Sequence, residues 1–321
     1  MSTVRGRGSK IPENPGAVLQ KSSESDIISP RSRTSDLVWI IEGAATLIRK
    51  EMNYYRSGGV ISDFQKRAKN YEKKSRFVAD EDILSVPLKY LLSRKTAGNL
   101  LDAGGGTGYL SHFLSKHIEF ESIYLVDICD DMLKEAERKN YGAKIFNSSI
   151  ESFCEEAMEK FDTILIRQVL HYVEDVNKIF LLLKSVLKTG GLIYVGQYLR
   201  TDNDCREWHY ELAKEISKNR HRTMRHKEFL EYVCQNGLEV IQNDTTEIER
   251  SLEDFYENRI DNNLSFKELM NKMIALTSES VKDKMRIRIT DSNIYYSAQF
   301  CHFLLKKKET CNNFSKENGR I

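Results

Sequence analysis

The sequence predicts an α/β protein built on a mostly parallel, doubly wound sheet, and two observations carry that prediction. From about residue 98, short apolar runs alternate with amphipathic helical segments, the pattern of strands buried on both faces beneath covering helices. Directly behind the first apolar run, in "NLLDAGGGTGYLSHFL", four of only 17 glycines fall within five positions. Such a cluster either relaxes a tight turn or clears side chains away so that backbone can touch a ligand. In an open parallel sheet this turn lies at the carboxyl ends of the strands, where ligands bind.

The elements follow in order. "NLLDAG" is the first strand, and a helix runs from about 108 to 117. "SIYLVD" is the second strand, and "DDMLKEAERKN" a helix with Glu135 and Lys139 spaced to pair at i,i+4. "AKIFN" and "FDTILIR" are the next strands. Val176, Ile179, Phe180, Leu183, Val186 and Leu187 draw the inner stripe of the helix before "GGLIYVGQY". "GLEVIQND" and "NIYYSAQFCHFLL" supply the last two long strands.

Outside this core, residues 1–34 hold three of the four prolines and read as a disordered tail. Residues 35–97 form N-terminal helices: from Ser35, the positions Ile41, Ala45, Ile48, Met52 and Tyr55 make an amphipathic helix over 35–56. That helix reads as packing, as a lid, or as a homodimer contact. The core spans 98–248, a helical insertion 249–290, a final strand 291–305 and a solvated tail 306–321.

Composition narrows the function. The net charge of +2 argues against a dedicated nucleic-acid binder. Six cysteines without CxxC or metal-ligand spacing read as reduced thiols, with no metal site. No apolar run reaches the roughly 18 residues of a membrane span, so a cytoplasmic protein is expected.

A dinucleotide fingerprint G-x-G-x-x-G fails in both registers: the sixth position is Tyr109 counted from Gly104 and Ser111 counted from Gly106. What fits is D-x-G-x-G-x-G, with Asp102, Gly104, Gly106 and Gly108, and Gly105 besides. A carboxylate ending the first strand sits badly beside a pyrophosphate but suits a cationic amino group. Asp127, 19 residues past Gly108, ends the second strand and can accept from both hydroxyls of a ribose. An amino-acid end, a ribose and no phosphate describe S-adenosylmethionine.

"LLDAGGGTGYLS", "IYLVDICDDMLKEA", "FDTILIRQVLHYVED" and "LLKSVLKTGGLIYVGQY" resemble, in order and spacing, the successive motifs of class I S-adenosylmethionine-dependent methyltransferases. Within that class the likeness is to the small-molecule branch of ubiquinone/menaquinone-biosynthesis and natural-product enzymes. It covers about residues 64–245, including "FQKRAKNYEKKSRFV". The resemblance implies a Rossmann-like sheet of seven strands with the last antiparallel, plus a helical cap. It implies that Asp102 and the Gly104–Gly108 backbone hold the methionine part, and that Asp127 holds the ribose. Ile128 and Met132 would flank the adenine, with Asn147 and Ser148 near its amino group; many relatives carry Asp where Asn147 stands. Gln168 would face the methionine, and Tyr71 would close over the cofactor or simply pack.

The substrate side is less definite. "SLEDFYENRI" and "SFKELMNKMIAL" each begin at a Ser N-cap, and about 40 residues between two strands make a cap rather than a turn. The acceptor pocket is expected among this cap, the 199–226 segment and the 35–56 helix. His171 and His209 are the candidate bases; His171 reads equally as a residue packed over the cofactor or capping the next helix. Trp208, His209 and Tyr210 are placed to stack on a flat acceptor or to pack in a core, and the run Arg220, His221, Arg222, Arg225, His226, Lys227 to clasp an anion or start a solvated helix. The tetrad after the fourth strand is "RQVL", without the Pro-Pro of nucleic-acid amino-methyltransferases. Methyl transfer to an O, N or C nucleophile of a small molecule leads; a non-catalytic cofactor-binding partner and a nucleotide oxidoreductase are the competing readings.

Overall fold

The computed structural model describes residues 59–92, 98–200, 205, 208, 211–212, 224–257 and 264–309. One sheet runs through this part, with strands β1 (Asn99–Ala103), β2 (Ser122–Asp127), β3 (Lys144–Asn147), β4 (Phe161–Arg167), β5 (Leu187–Tyr198), β6 (Leu238–Ser251), β7 (Arg288–Ile289) and β8 (Ile294–Lys307). Its order is β3-β2-β1-β4-β5-β8-β6, with β7 hydrogen-bonded to β8. Strands β1 to β5 pair in parallel, while β8 is antiparallel to both β5 and β6. The expected sheet is present. The added strand, β7, is only two residues long, too short to show an alternation in sequence.

Successive strand residues point to opposite faces, and the core divides accordingly. On one face Leu100, Leu165, Tyr194 and Leu304 pack with Leu84, Leu110 and Leu114, which come from α1 (Glu81–Leu92) and α2 (Tyr109–Ser115). The helix α3 (Asp130–Glu137) lays Leu133 and Ala136 on Leu125 of β2. On the other face Leu101, Ile164, Ile166 and Val195 pack with Phe180, Phe229 and Cys154, from α4 (Ile150–Glu156), α5 (Val176–Val186) and α6 (His226–Gln235). The predicted stripe of α5 is buried throughout. Leu187 is a correction: it is the first residue of β5, opposite Phe161, and is buried there rather than in the helix.

The charge pairing on α3 also differs from expectation. Glu135 pairs with Arg138. Lys139 instead reaches Glu72 at 2.6 Å and donates to the Thr107 carbonyl at 2.9 Å. The lysine thus ties the 71–74 helical turn to the glycine loop, a contact between distant segments that i,i+4 spacing does not register.

The insertion between β6 and β8 holds α7 (Leu252–Glu257), α8 (Phe266–Ala275) and α9 (Glu279–Lys284). Ser251 and Ser265 cap the first two through bonds from Asp254 N and Glu268 N. Their apolar faces, with Leu252, Phe255, Leu269 and Met273, bury against Ile294, Tyr296 and Ala298 of β8 and against Trp208. Trp208 is fully buried and donates Nε1 to Thr277 Oγ1 at 3.2 Å. It is therefore a core residue of the cap and no stacking platform. Among the described residues no helix is long and apolar enough to cross a membrane. The 35–56 helix lies outside the described residues.

Candidate cofactor and acceptor site

Asp102 ends β1 with its side chain buried, and its partner across the sheet is Leu125. Burial pushes its carboxyl upward, opposed by a hydrogen bond from Ser111 and by the charge of Arg167. Its Oδ2 is buried with no hydrogen-bond partner. An unpartnered buried carboxylate oxygen is costly unless a ligand completes it. The missing group is a donor, and a cation answers it best.

The glycines shape the space above it. A Cβ on Gly105 would run into Leu125 and the Asp102 carboxyl itself, so this glycine is what lets Asp102 sit against the loop. Gly106 differs. Its φ is +57, yet a Cβ there would find only Met132 Cε at 3.5 Å and Asp127 Oδ2 at 4.0 Å. No neighbour requires that glycine for room; its left-handed backbone does.

Asp127 ends β2 and is held by two backbone amides, Gly106 N to Oδ2 and Cys129 N to Oδ1, each at 2.9 Å. Burial raises its pKa to about 6, against the lowering effect of those two bonds. Each oxygen keeps a further lone pair, in an orientation the backbone already sets. Asn147 Nδ2 and Ser148 N both reach the Asp127 carbonyl, at 3.3 and 3.1 Å, so the adenine-side residues gather at the same strand end. Met132 is buried, in a cluster with Ala68 and Cys129 over which Phe64 and Tyr71 close; Ile128 is half-buried beside it. Tyr71 lies under the Arg67 guanidinium at 5.3 Å, and burial raises its phenol.

Gln168 follows β4 with φ +58, a left-handed conformation rare for a side-chain-bearing residue. Its amide hydrogen bonds to the Gly196 carbonyl at 2.8 Å, and its side-chain Nε2 is buried without a partner. The backbone strain and the unsatisfied donor coincide at this one residue, at the carboxyl end of β4. His171 is buried, with Nδ1 2.9 Å from Gln197 Nε2 and its ring 4.1 Å from that of Tyr172. The Gln197 contact holds the His171 ring in place. His209 and Tyr210 lie outside the described residues, as do Arg220, His221 and Arg222. Arg225 is committed to Glu228 at the start of α6.

Sequence reasoning missed Arg167, Phe77 and Arg250. Arg167 reaches the Val78 carbonyl at 3.4 Å and stands 6.0 Å from the Phe77 ring. No local motif marks these residues, because long-range pairing alone brings them together. Among the described residues no cluster of His, Cys, Asp and Glu could hold a metal ion.

The methyltransferase domain family matches residues 75–243, more than half of the chain. A curated relative, malonyl-[acyl-carrier protein] O-methyltransferase 2 of Ilyobacter polytropus, is 27% identical over 143 residues, 43% of this chain and 53% of that protein. The chain thus spans about half the length of that relative. Two solved structures share the fold. A methyltransferase candidate from Bacillus halodurans C-125 has a TM-score of 0.61 at 17% identity, covering 71% of this chain and 100% of that one. The YcgJ protein of Bacillus subtilis has a TM-score of 0.59 at 18% identity, covering 71% and 98%. The chain belongs to the methyltransferase domain family, in the class I S-adenosylmethionine-dependent group.

Proposed function

We propose that the protein transfers the methyl group of S-adenosylmethionine to an O, N or C nucleophile of a small biosynthetic intermediate. The observation that carries this reading is the buried Asp102 carboxylate with one unpartnered oxygen beside the Gly104–Gly108 loop. That combination suits a ligand with an ammonium group and no pyrophosphate. When bound, the cofactor supplies an electrophilic methyl carbon on a sulfonium, so little bond chemistry falls to the protein.

Asp102 would hold the amino group, and Asp127 would accept the ribose hydroxyls from the position its two amide bonds fix. Met132 and Ile128 would lie along the adenine, with Asn147 and Ser148 at its edge. The unpartnered Gln168 amide would donate to the methionine carboxylate. The aromatic side chains of Phe64 and Tyr71 exclude water from this edge. His171, locked by Gln197, serves to position its neighbours; an acceptor that is already nucleophilic needs no base.

Calorimetric titration with S-adenosylhomocysteine and with NAD tests the cofactor assignment; binding of NAD alone overturns it. The curated relative is named for malonyl-[acyl-carrier protein], which makes a malonyl thioester the first acceptor to assay. Cofactor binding without turnover on any acceptor would point to a regulatory binding protein.

A further inference from the structure

Two guanidiniums flank one aromatic pair at the end of β5. The Phe77 and Tyr198 rings meet edge-on at 5.9 Å, with Arg167 standing 6.0 Å from the first and Arg250 5.3 Å from the second. Arg250 comes from the far end of β6, opposite Tyr296 of β8, and shares a sheet face with Tyr198 through Phe300. Neither arginine makes an ion pair with a carboxylate of the described residues; Arg167 has only long bonds to the Val78 carbonyl. Tyr198 Oη is buried beside the Arg250 guanidinium, which can donate to it, and meets no acceptor for its own proton among the described residues. Tyr198 also packs against the cap cluster. The arrangement therefore lies where the cap meets the sheet edge that carries Gln168 and His171.

Guanidinium groups that are partly desolvated with no carboxylate of the described residues at ion-pair distance are unusual, because the lost hydration is only partly compensated. A carboxylate would supply both arginines with a planar acceptor and accept the proton of the Tyr198 hydroxyl. The negative charges of Asp80 and Asp254 also act on Tyr198 and Arg250 respectively. They offset part of the positive potential, which suits a monoanion better than a phosphate dianion. The cofactor's own methionine carboxylate competes for Arg167, whose charge is felt at Asp102.

We propose that the methyl acceptor carries a carboxylate, anchored by Arg250 and the Tyr198 hydroxyl with Arg167 closing from β4, and a flat or apolar portion against Phe77. This rests on the methyltransferase reading above and adds the substrate class. The test uses the full chain saturated with S-adenosylhomocysteine and two probes of equal shape, benzoate and benzamide, titrated by calorimetry or ligand-observed NMR. Wild type should prefer benzoate by about tenfold or more, the usual weight of a charge-assisted contact. Arg250→Gln should erase that preference, and Arg250→Lys should keep part of it. Tyr198→Phe, which removes only a hydroxyl, should weaken it by a few fold. All three should bind S-adenosylhomocysteine as wild type does. If Arg250→Gln does not fold, by its circular dichroism, the Tyr198→Phe and Arg250→Lys results decide. Normal cofactor binding with no carboxylate preference in wild type, or a preference that survives Arg250→Gln, overturns the anion site alone. Failure of wild type to bind S-adenosylhomocysteine overturns the methyltransferase reading itself.

Discussion

The two halves of the sheet hold their ligand-facing groups in different ways. On the β1–β2–β3 side, Asp102, Gly106 and Asp127 lie within about one strand–helix–strand unit, and two backbone amides set the Asp127 carboxylate directly. On the β5–β8–β6 side the polar groups, Tyr198 and Arg250, are brought together by antiparallel pairing through β8, and the cap packs on that strand. The first half is a local device that tolerates little change. The second is a framework on which side chains can be exchanged while the pairing persists. A fixed cofactor and a variable acceptor would require that division.

The sharpest way to separate the halves is to damage one and read the other. Trp208→Ala empties the centre of the cap cluster and should cost about 3–5 kcal/mol of stability. Its affinity for S-adenosylhomocysteine, measured by calorimetry below the melting transition, should stay near that of wild type. A large loss of affinity would mean that the cap also builds the cofactor half. Gly106→Val makes the opposite cut. The new side chain meets only Met132 and Asp127, but φ +57 strains any residue other than glycine. The loop should lose stability locally while the sheet still folds, as circular dichroism would show, and cofactor binding should fall by at least about 100-fold. Normal binding would reduce the glycine loop to a structural turn.

Asp127→Ala should weaken cofactor binding by about 1.5–3 kcal/mol, or roughly 10- to 150-fold. It also frees the Gly106 and Cys129 amides, so the Asp127→Asn comparison isolates the charge. The pH dependence follows from the carboxyl raised to about 6. As pH falls through 6 the folded protein takes up a proton there, and a charged acceptor for the ribose is lost. Affinity should therefore drop between pH 7 and 5 in wild type and be flatter in Asp127→Asn. Stability runs the other way. A raised carboxyl pKa means that ionised Asp127 costs stability above 6, and that cost is relieved as pH falls toward the unfolded value near 4. Lys139→Met removes both the ion pair to a buried Glu72 oxygen and the bond to the Thr107 carbonyl, and should cost about 1–3 kcal/mol of stability with little change in cofactor affinity. A loss of cofactor affinity beyond about fivefold would show that the 71–74 turn is a working part of the cofactor half.

The same contrast explains what could be read in advance. The glycine loop, the strand-ending carboxylates and the stripe of α5 are each written in consecutive or periodically spaced residues, and the structure puts them where the pattern says. Arg167 sits one position before Gln168, inside a quoted motif, yet nothing local distinguishes it from a solvated strand end. Arg250 and Tyr198 are 52 residues apart and face each other only because both strands pair with β8. Lys139 was misassigned for a similar reason: the i,i+4 rule counts one helix and cannot see Glu72. Trp208 offered two readings in sequence, and burial chose packing.

The cap is stitched to the strand pair as well as packed on it. Ser297 N donates to the Met285 carbonyl at 2.7 Å, and the Asn293 side chain bonds both Glu253 N at 3.3 Å and the Glu253 carboxylate at 3.2 Å. These bonds join the insertion to β8, which is itself a central strand with neighbours on both sides. Opening the cap therefore disturbs a strand that the whole sheet depends on. Denaturation of the described region should be a single cooperative transition, with α7 and α8 amides exchanging only slightly ahead of those in β8.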